Sequence, residues 1–447
     1  MSAVEEGGAH ASRMVCAGCG LALEPDAALP FRCPDAGAED DVDHVLQCVL
    51  GDDGLGEIFA EAAADREPCT FVRFRKLTHS YRLARRRGMG DDDYCALVRE
   101  LDRRVAAVAG VGFRETPYIY CGGLDLWLKD ETGNVGGSHK ARHLMGLAIH
   151  LEVVERLGLV DLSDRELVIA SCGNAALAAS IVAKAAGRRL RVFVPPTAGA
   201  EVVRILEANG AQREVCARAP EDPPGDPTVR RFRAAIAGGA LPFSCQGNDN
   251  GLTIQGGLTL GWEVAIQHAE RTAAPIGCLF VQVGGGALAS GVIEAYALAR
   301  AAGALAEEPR FVAVQTANAH PLLGAFEAAR ARAQEEGVAA AMAHARGHRG
   351  AYMRPWPEPP RSVADGILDD ETYDWAALTE GLLRSRGRVA LVDEEGLVSA
   401  RAQVEALAGI RASATGAAGV AGALTTRPRR DDDCGLARAA LVTGIRR

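Results

Sequence analysis

The sequence lacks the features that mark membrane, secreted and nucleic-acid-binding proteins. None of its apolar runs is long enough to span a bilayer. The N-terminal stretch MSAVEEGGAHASRM is polar and acidic, without the apolar centre of a secretory signal. Acidic residues outnumber basic ones, 58 to 49, and the net charge of −9 disfavours nucleic acids and anionic membranes as partners. Together these absences predict a cytoplasmic protein.

Paired cysteines are scarce, although the chain carries 12 cysteines. Most stand singly, as buried or incidental thiols do in a reducing compartment. The exception is Cys16-Ala-Gly-Cys19, a knuckle that can place two thiolates on one metal ion, and Cys33 follows it. This resembles three quarters of a zinc ribbon, whose second CxxC pair is incomplete because Ala36 stands at its last position.

The fourth metal ligand is open on the sequence alone. His44 and Cys48 are both candidates, and Asp35 is a weaker one. The predicted site is a structural zinc ion held by Cys16, Cys19, Cys33 and His44. The alternative is a ribbon remnant that is held by packing and binds no metal.

Internal repeats and low-complexity tracts are also absent, and short apolar runs alternate with helical patterns, among them an amphipathic helix at 91–109 and a helix at 318–346. Continuous apolar runs of this length are typical of strands buried on both faces. Strands are predicted at 125–128, 166–170, 190–194, 214–216, 277–283, 311–315, 388–392 and 439–443. The alternation predicts an α/β fold with mainly parallel sheets, in a chain of 447 residues that is long enough for two or three domains.

Three loops follow the carboxyl ends of predicted strands, where open α/β sheets bind their ligands. The loop 129–142 carries three glycines and then Lys140, at the start of an apolar helix. An arbitrary lysine at this place would be solvated, but glycines let the backbone approach a ligand and favour an amine that forms an imine with a carbonyl cofactor. The other two loops contain Ser171-Cys-Gly-Asn174 and Gly284 to Leu288.

The triple glycine at 284–286 is ambiguous when taken alone. It is a tight turn, or part of a dinucleotide motif with Ala289 at the third position, but no acidic residue ends the following strand to hold a ribose. Consecutive glycines before a helix suit a compact phosphate bound by backbone amides. A phosphate nest, an imine-forming lysine and a ring-facing asparagine together indicate pyridoxal 5′-phosphate (PLP).

Seven ordered motifs resemble the fold type II, or tryptophan synthase β-like, family of PLP enzymes, within which threonine synthases are most similar. They are TP at 116–117, LKDETGNVGGSHKAR at 128–142, SCGNAA at 171–176, VFVPPTAGAEVVRILEANGA at 192–211, VGGGAL at 283–288, VAVQTANAHPL at 312–322 and LVTG at 441–444. Seven matches in order are much more specific than any one motif. The incomplete ribbon resembles the N-terminal extension of several threonine synthases.

The resemblance implies two three-layer α/β/α domains with mainly parallel sheets, assembled as a homodimer. The expected parts are a zinc-ribbon-like extension at 1–50, a helical arm at 51–112, a large PLP-binding domain at 113–155 and 250–447, and a small α/β domain at 156–249.

The resemblance also implies roles for single residues. Lys140 would hold PLP as an imine and then shuttle the α-proton of the substrate. Asn174 would bind the phenolic oxygen of the cofactor, and the hydroxyl of Thr443 would face the pyridine nitrogen. The phosphate would be held by the amides of Gly284, Gly285, Gly286, Ala287 and Leu288. Substrate contacts are expected from Ser138, Ser171, Cys172 and Gly173.

Departures from the threonine synthase pattern bear on the substrate. Threonine synthases and dehydratases usually carry Phe before the lysine and Asp after it, whereas His139 and Ala141 stand here. Tryptophan synthase β-chains share the histidine. The prediction is that His139 contacts the phosphate; the alternatives are a packing role and a second acid–base group. The stretch SATGAAG at 413–419 lacks the Glu-Pro that usually opens it.

The predicted function is β-elimination or β-replacement on a small amino acid, first of all a threonine synthase-like conversion of O-phosphohomoserine to threonine and phosphate. That substrate needs a second anion site, for which Arg142, Lys184 and Arg204 are candidates. The alternatives are a serine or threonine dehydratase and a β-replacing enzyme of the cysteine or cysteate synthase kind. A PLP- or zinc-binding interaction protein without catalysis is a further alternative, which the intact Lys140 and Asn174 oppose.

Overall fold

The computed structural model describes residues 11–37, 40–51, 54–219, 221–222, 225–357, 360–426 and 436–447, so the first ten residues of the predicted extension lie outside it. Its strands are β1 Ser12–Cys16, β2 Leu46–Leu50, β3 Tyr118–Cys121, β4 Leu126–Asp130, β5 Leu167–Ala170, β6 Leu190–Val194, β7 Gln212–Val215, β8 Leu241–Pro242, β9 Ile276–Gln282, β10 Arg310–Thr316, β11 Arg388–Val392 and β12 Ala437–Val442. Its α-helices are α1 Leu55–Ala64, α2 Thr70–Arg73, α3 His79–Arg86, α4 Asp91–Ala109, α5 Lys140–Arg156, α6 Asn174–Ala185, α7 Ala200–Ala208, α8 Pro227–Ala237, α9 Thr253–Arg271, α10 Ala287–Ala301, α11 Pro321–Glu336, α12 Val338–Gly347, α13 Arg349–Tyr352, α14 Trp375–Arg384, α15 Glu394–Ala408 and α16 Ala414–Thr425.

The larger sheet has six strands in the order β11-β10-β9-β12-β4-β3. Its strands are parallel except for β3, which pairs antiparallel with β4 at one edge. Side chains alternate between the two faces, as the pleat of a strand requires. In β9, Leu279 and Val281 join one apolar cluster, and Cys278 and Phe280 join the other. Helices α9, α10 and α14 cover the first face, and α15 and α16 cover the second.

The smaller sheet, ordered β7-β6-β5-β8, is parallel throughout. Val192 and Val194 of β6 belong to the cluster that includes α6, while Phe193 shares a cluster with Phe232 of α8 on the other face. Both sheets are therefore enclosed by helices on two sides, and the predicted α/β fold with two three-layer arrangements is confirmed. The predicted domain boundaries stay a prediction.

The N-terminal segment packs directly on the helices that follow it. Strands β1 and β2 pair antiparallel, with Ser12 opposite Leu50. The Nη1 of buried Arg82 in α3 donates to the carbonyl oxygen of Ala11 at 2.7 Å, and Oγ of Ser12 bonds to Nδ1 of His79 at 3.0 Å. The apolar side chains of both strands lie in the same cluster as those of α3 to α6, so this segment and the body share one core.

Other elements show where sequence patterns succeed and fail. Helix α4 has the predicted bounds, and Leu97 and Leu101 are buried on its apolar face. The residues predicted to be helical over 318–346 are helical in α11 and α12, which divide at Gly337, whose φ of +85° no α-helix accommodates. The edge strand β3 and the two-residue β8 were not predicted, since such short segments give little periodic signal. Among the helices in the described ranges, none is long and apolar enough to cross a membrane.

Candidate active site

Lys140 is the first residue of α5, at the end of the loop that leaves the carboxyl end of β4. This loop turns through Gly136 and Gly137, whose φ values of +66° and +71° favour glycine. A Cβ on Gly137 would come within 2.4 Å of Cγ2 of Ile445, so a side chain there would push the loop off the segment that follows β12. The Lys140 side chain is half-buried, and no hydrogen bond or ion pair within the described residues uses its Nζ.

A buried network of four charges fixes the start of α5. Arg142 donates to both carboxylate oxygens of Glu131 at 2.9 Å and to Glu263 at 2.8 Å. Lys129 donates to the same Glu263 at 2.7 Å, and all four side chains are at most 1% exposed. Although burial opposes it, the charges of Arg142 and Lys129 lower the pKa of Glu263 to about 2. Two positive and two negative charges therefore balance in the interior. The Arg142 guanidinium is paired within this network.

The triple glycine follows β9 and leads into α10. A Cβ on Gly284 would stand 2.3 Å from Oδ2 of Asp369, and one on Gly285 would stand 2.9 Å from the ring of Tyr373. Gly286 has a φ of +107°, in the left-handed region. The Asp369 carboxyl group therefore lies against the glycine loop. A carboxyl oxygen thus occupies a position where the predicted nest would hold a phosphate oxygen.

The charge of Lys140 acts on two buried carboxyl groups, Asp369 and Asp374. Burial raises the pKa of Asp369, while the charge of Lys140 and the amide of Gly285 act in the opposite sense. Burial raises the pKa of Asp374 to about 8, against the effects of the Gly247 N–H and of Lys140. Among the described residues, none forms a hydrogen bond with the buried Oδ2 of Asp374. Asp369 is thus subject to the charge of Lys140 and lies against the glycine loop.

His139 and Thr443 join the loop before α5 to the end of β12. The hydroxyl oxygen of Thr443 accepts from the backbone N–H of His139 at 3.0 Å and lies 2.9 Å from the ring Nδ1. Burial and, next to it, the Lys140 charge hold the pKa of His139 well below its usual range, so the ring is neutral at pH 7. Its Nε2 is buried without a partner. The predicted contact of His139 with the phosphate stays a prediction.

Asn174 begins α6, after the loop 171–173 that follows β5. A Cβ on Gly444 would stand 3.2 Å from its Nδ2, so the end of the smaller sheet meets the end of β12 here. Its Oδ1 accepts from Nη1 of Arg447 at 2.6 Å, and the same guanidinium donates to the carbonyl oxygen of Gly136. In the loop itself Cys172 is exposed, and its two neighbours are half-buried. The loops predicted to bind substrate and cofactor thus converge.

Several polar atoms at these loops are buried without a partner, which folded proteins normally avoid. They are Oγ of Ser138, Nε2 of His139 and Oγ of Ser290. Ser138 lies two residues before the lysine, and the backbone N–H of Ser290 bonds to the carbonyl oxygen of Gly286 at 2.9 Å. An unpaired amine, unpartnered hydroxyls and a nest of amides are what a phosphorylated aldehyde would engage. The residues present therefore fit PLP.

The four predicted metal ligands also come together, away from these loops. The ligand atoms of Cys16, Cys19, Cys33 and His44 all lie within 4.8 Å of one another. The alternative ligand Cys48 is buried on β2 and is not part of this group.

Some residues at the site carry no recognisable signal in the sequence. Glu263 reaches Arg142 across 121 residues, and Arg447 reaches Asn174 across 273. Asp369 and Asp374 begin and end the acidic run DDETYD. That run is visible in the sequence, but nothing in it says which loop it meets.

Comparison with known proteins gives one family match and a group of partial relatives. The family described as "Pyridoxal-phosphate dependent enzyme" matches residues 111–436. A Rattus norvegicus protein named "Serine dehydratase-like" is 29% identical over 174 residues, 38% of this chain and 46% of that protein. A Mus musculus protein of the same name is 28% identical over 214 residues, 46% of this chain and 56% of that protein. The chain spans about half the length of the curated relatives it matches.

Solved structures share the fold. Maize serine racemase superposes with a TM-score of 0.57 at 19% identity, covering 78% of this chain and 92% of that chain. A threonine deaminase from Solanum lycopersicum, the processed form of isoform 2, superposes with a TM-score of 0.55 at 16% identity, covering 80% of this chain and 91% of that chain. At these identities the likeness concerns the fold alone.

Proposed function

Because the chain belongs to the pyridoxal-phosphate dependent enzyme family, we propose that it is a PLP-dependent lyase that eliminates the β-hydroxyl group of serine or threonine. The partial rodent relatives support this activity over the threonine synthase-like one that the sequence motifs favour first. The observation that carries the proposal is the meeting of the Lys140 loop and of Asn174 with the end of β12, where Thr443 accepts from the His139 N–H and a Cβ on Gly444 would stand 3.2 Å from the Asn174 amide.

The residues offered as a second anion site give O-phosphohomoserine little support. Arg142 is bound to Glu131 and Glu263. Lys184 donates to the carbonyl oxygen of Ala208 on the surface, and Arg204 is exposed. A β-replacing enzyme of the cysteine or cysteate synthase kind remains an alternative, which turnover dependent on an added nucleophile would reveal.

In this proposal three loops hold the cofactor. Lys140 holds its aldehyde carbon, the amides of 284–288 hold its phosphate, and Asn174 binds its phenolic oxygen. When bound, PLP supplies a conjugated ring that stabilises negative charge at the α-carbon of the substrate. Ser138 and the loop 171–173 bind the substrate carboxylate, because the loop precedes the N-terminus of α6.

Lys140 is the proposed proton carrier. Its Nζ takes the proton from the α-carbon and delivers it to the departing hydroxyl group, so that water leaves and the charges balance. The buried network of Glu131, Arg142, Glu263 and Lys129 holds the first turn of α5 and so positions this amine.

Thr443 is the proposed partner of the pyridine nitrogen. Its hydroxyl oxygen already accepts from the backbone N–H of His139. If the neutral His139 ring also donates through Nδ1–H, the hydroxyl proton of Thr443 is free to point at the cofactor. A hydroxyl donor leaves the pyridine nitrogen largely unprotonated, which favours elimination over transamination.

The test begins with the lysine. Purified protein should absorb at about 410 nm, as expected for a lysine-bound PLP. Reduction with borohydride and peptide mapping should place the cofactor on Lys140, one of only four lysines in the chain with Lys76, Lys129 and Lys184. Lys140→Ala should lose this absorbance and at least about 10³-fold of the ammonia release from L-serine or L-threonine. Full turnover in that variant would refute the assignment.

A diamino acid is a second candidate substrate, favoured by the buried carboxyl group of Asp369 against the glycine loop. An ammonium group at the β-carbon would pair with this carboxyl group. We expect Asp369→Asn to lower turnover of 2,3-diaminopropionate more than turnover of serine, with Asp370→Asn as the control. Equal effects on both substrates would exclude this candidate.

Three further parts of the proposal rest on the sequence. They are a homodimer, a cytoplasmic location and a zinc ion in the N-terminal cluster. Sedimentation of the holoenzyme tests the first of them.

A further inference from the structure

The N-terminal cluster of three cysteines and one histidine has no part in the chemistry above. Cys16 ends β1, Cys19 lies in the turn after it, and His44 lies just before β2. Cys33 comes from the segment between the two strands. The hairpin therefore brings ligands from four places in the sequence to one point.

Two distances between the ligand atoms match those around a tetrahedral zinc ion, and all four atoms lie within 4.8 Å of one another. Zinc bonds of about 2.3 Å to sulfur and 2.0 Å to nitrogen place the ligand atoms about 3.4 to 3.8 Å apart. Sγ of Cys19 lies 3.6 Å from Sγ of Cys33, and Sγ of Cys16 lies 3.4 Å from Nδ1 of His44. The set is complete with four protein ligands, as in structural rather than catalytic zinc sites.

The surroundings of the ligands are also those of a metal site. Nε2 of His44 bonds to Oδ2 of Asp40 at 2.6 Å, which places the ring proton on Nε2 and leaves the lone pair of Nδ1 for the metal.

We propose that Cys16, Cys19, Cys33 and His44 bind one structural Zn²⁺, with Asp40 orienting the histidine, and that this ion fastens the segment between the two strands to the enzyme body. The carbonyl oxygen of Phe31 accepts from the N–H of Gly251 at 2.9 Å, just before α9. The carbonyl oxygen of Asp41 accepts from the N–H of Arg349 at 2.7 Å, and the Arg349 guanidinium lies 3.4 Å from the Asp43 carboxylate.

The proposed role of the metal in holding this segment on the enzyme body follows from the positions of its ligands in the sequence. Cys19 and Cys33 flank Phe31, and Cys33 and His44 flank Asp41 and Asp43. The metal therefore closes loops that the body would otherwise have to order by itself. Loss of the ion should therefore loosen contacts to α9 and to α13 while leaving the residues proposed to hold PLP in place.

The test measures metal in the full-length holoenzyme. Elemental analysis of freshly purified protein should find about one zinc per chain. His44→Ala should lose the metal, whereas Cys48→Ala should keep it, because Cys48 lies outside the cluster. Asp40→Ala should keep the fold but bind zinc about 10- to 100-fold more weakly. Chelation of the wild-type protein should lower its thermal unfolding midpoint while the PLP absorbance persists at low temperature.

Two results would overturn the proposal. One is wild-type protein with no zinc that also fails to take up Co²⁺ with a thiolate-to-cobalt charge-transfer band. The other is a disulfide between Cys19 and Cys33 in protein purified under reducing conditions. If His44→Ala does not fold, the cobalt titration of the wild-type protein decides. Neither result bears on the proposal that Lys140 holds the cofactor.

Discussion

At the scale of single residues, Asp374 carries a carboxyl group that is almost completely buried. It is 4% exposed, its Oδ2 has no partner, and burial raises its pKa to about 8. In the unfolded chain the pKa of an aspartate is about 3.9. Between these two pKa values, the Asp374 carboxyl group of the native state therefore holds a proton that the unfolded state has lost. Stability from this group is fully present below about pH 4 and is lost as the pH rises towards about 8.

Asp374→Asn should remove this dependence, because the amide keeps an oxygen for the Gly247 N–H and does not ionise. The wild-type free energy of unfolding should fall relative to the variant by on the order of 1 kcal/mol per pH unit between pH 5 and 8. Urea denaturation at a series of pH values measures the difference. The exposed Asp365→Asn in the same segment serves as the control, and wild-type and Asp374→Asn curves that run parallel would contradict the prediction.

The site residues that sequence reasoning could identify are those that stand in recognisable motifs. Lys140, Asn174 and the glycines at 284–286 belong to motifs whose residue types indicate cofactor binding. Asp369 does not, because its approach to Gly284 depends on how a segment some eighty residues later folds back over the loop. The fourth metal ligand shows the same limit: the sequence left His44 and Cys48 both open, and hairpin pairing places His44 with the cysteines.

At the scale of elements, the contact between α5, α9 and β4 is held by charges rather than by apolar side chains alone. Glu263 of α9 accepts from Lys129 of β4 and from Arg142 of α5, and it also accepts from the Thr70 hydroxyl at 2.8 Å. Removing one member of a buried ionic network leaves its partners charged and unpaired, which costs more than the pair contributes.

Glu263→Gln should lower the free energy of unfolding by about 3 to 5 kcal/mol. The matched control is Glu270→Gln on the same helix, whose ion pair with Arg66 is exposed, at 39% and 72% for the two side chains. That change should cost no more than about 1 kcal/mol. Guanidinium denaturation of both variants makes the comparison, and similar losses would show that the network does not hold these elements together.

Element bounds were predictable where the pattern was strong. The strands at 190–194 and 388–392 have the predicted limits. The helical prediction for 318–346 does not show where the helix breaks, because an Ala-rich sequence keeps a helical pattern through Gly337. Only the packing of α11 and α12 on α14 reveals the break. The antiparallel pairing of β3 also depends on its neighbour, since four residues cannot specify a direction.

At the scale of the whole molecule, the N-terminal extension is part of the main core. Met14, Leu46 and Leu50 are each buried to within 6% exposure, in a cluster that reaches α5 and α9. The sequence suggested a separate extension ending at residue 50, since its ligand pattern resembles a small independent module. Composition cannot tell such a module from one that shares its apolar side chains with the body.

Deleting residues 1–51 should therefore destabilise the enzyme rather than leave the remaining residues stably folded on their own. Loss of several fully buried side chains, at about 1.5 to 3 kcal/mol each, exceeds what a typical domain can lose and stay folded. Thermal unfolding and soluble yield of the truncated protein measure the effect. A truncated protein with an unchanged midpoint and normal PLP absorbance would instead support the predicted boundary.

The scarcity of lysine has a practical consequence. The Lys129 amine is fully buried between Glu263 and Gln267, while those of Lys76 and Lys184 lie at the surface and that of Lys140 is half-buried. Acylating reagents should thus modify Lys76 and Lys184 and spare Lys129. They should reach Lys140, the fourth lysine, only in molecules that carry no cofactor. A label counted at that fourth peptide would report the fraction of empty enzyme in any preparation, without a substrate or an assay.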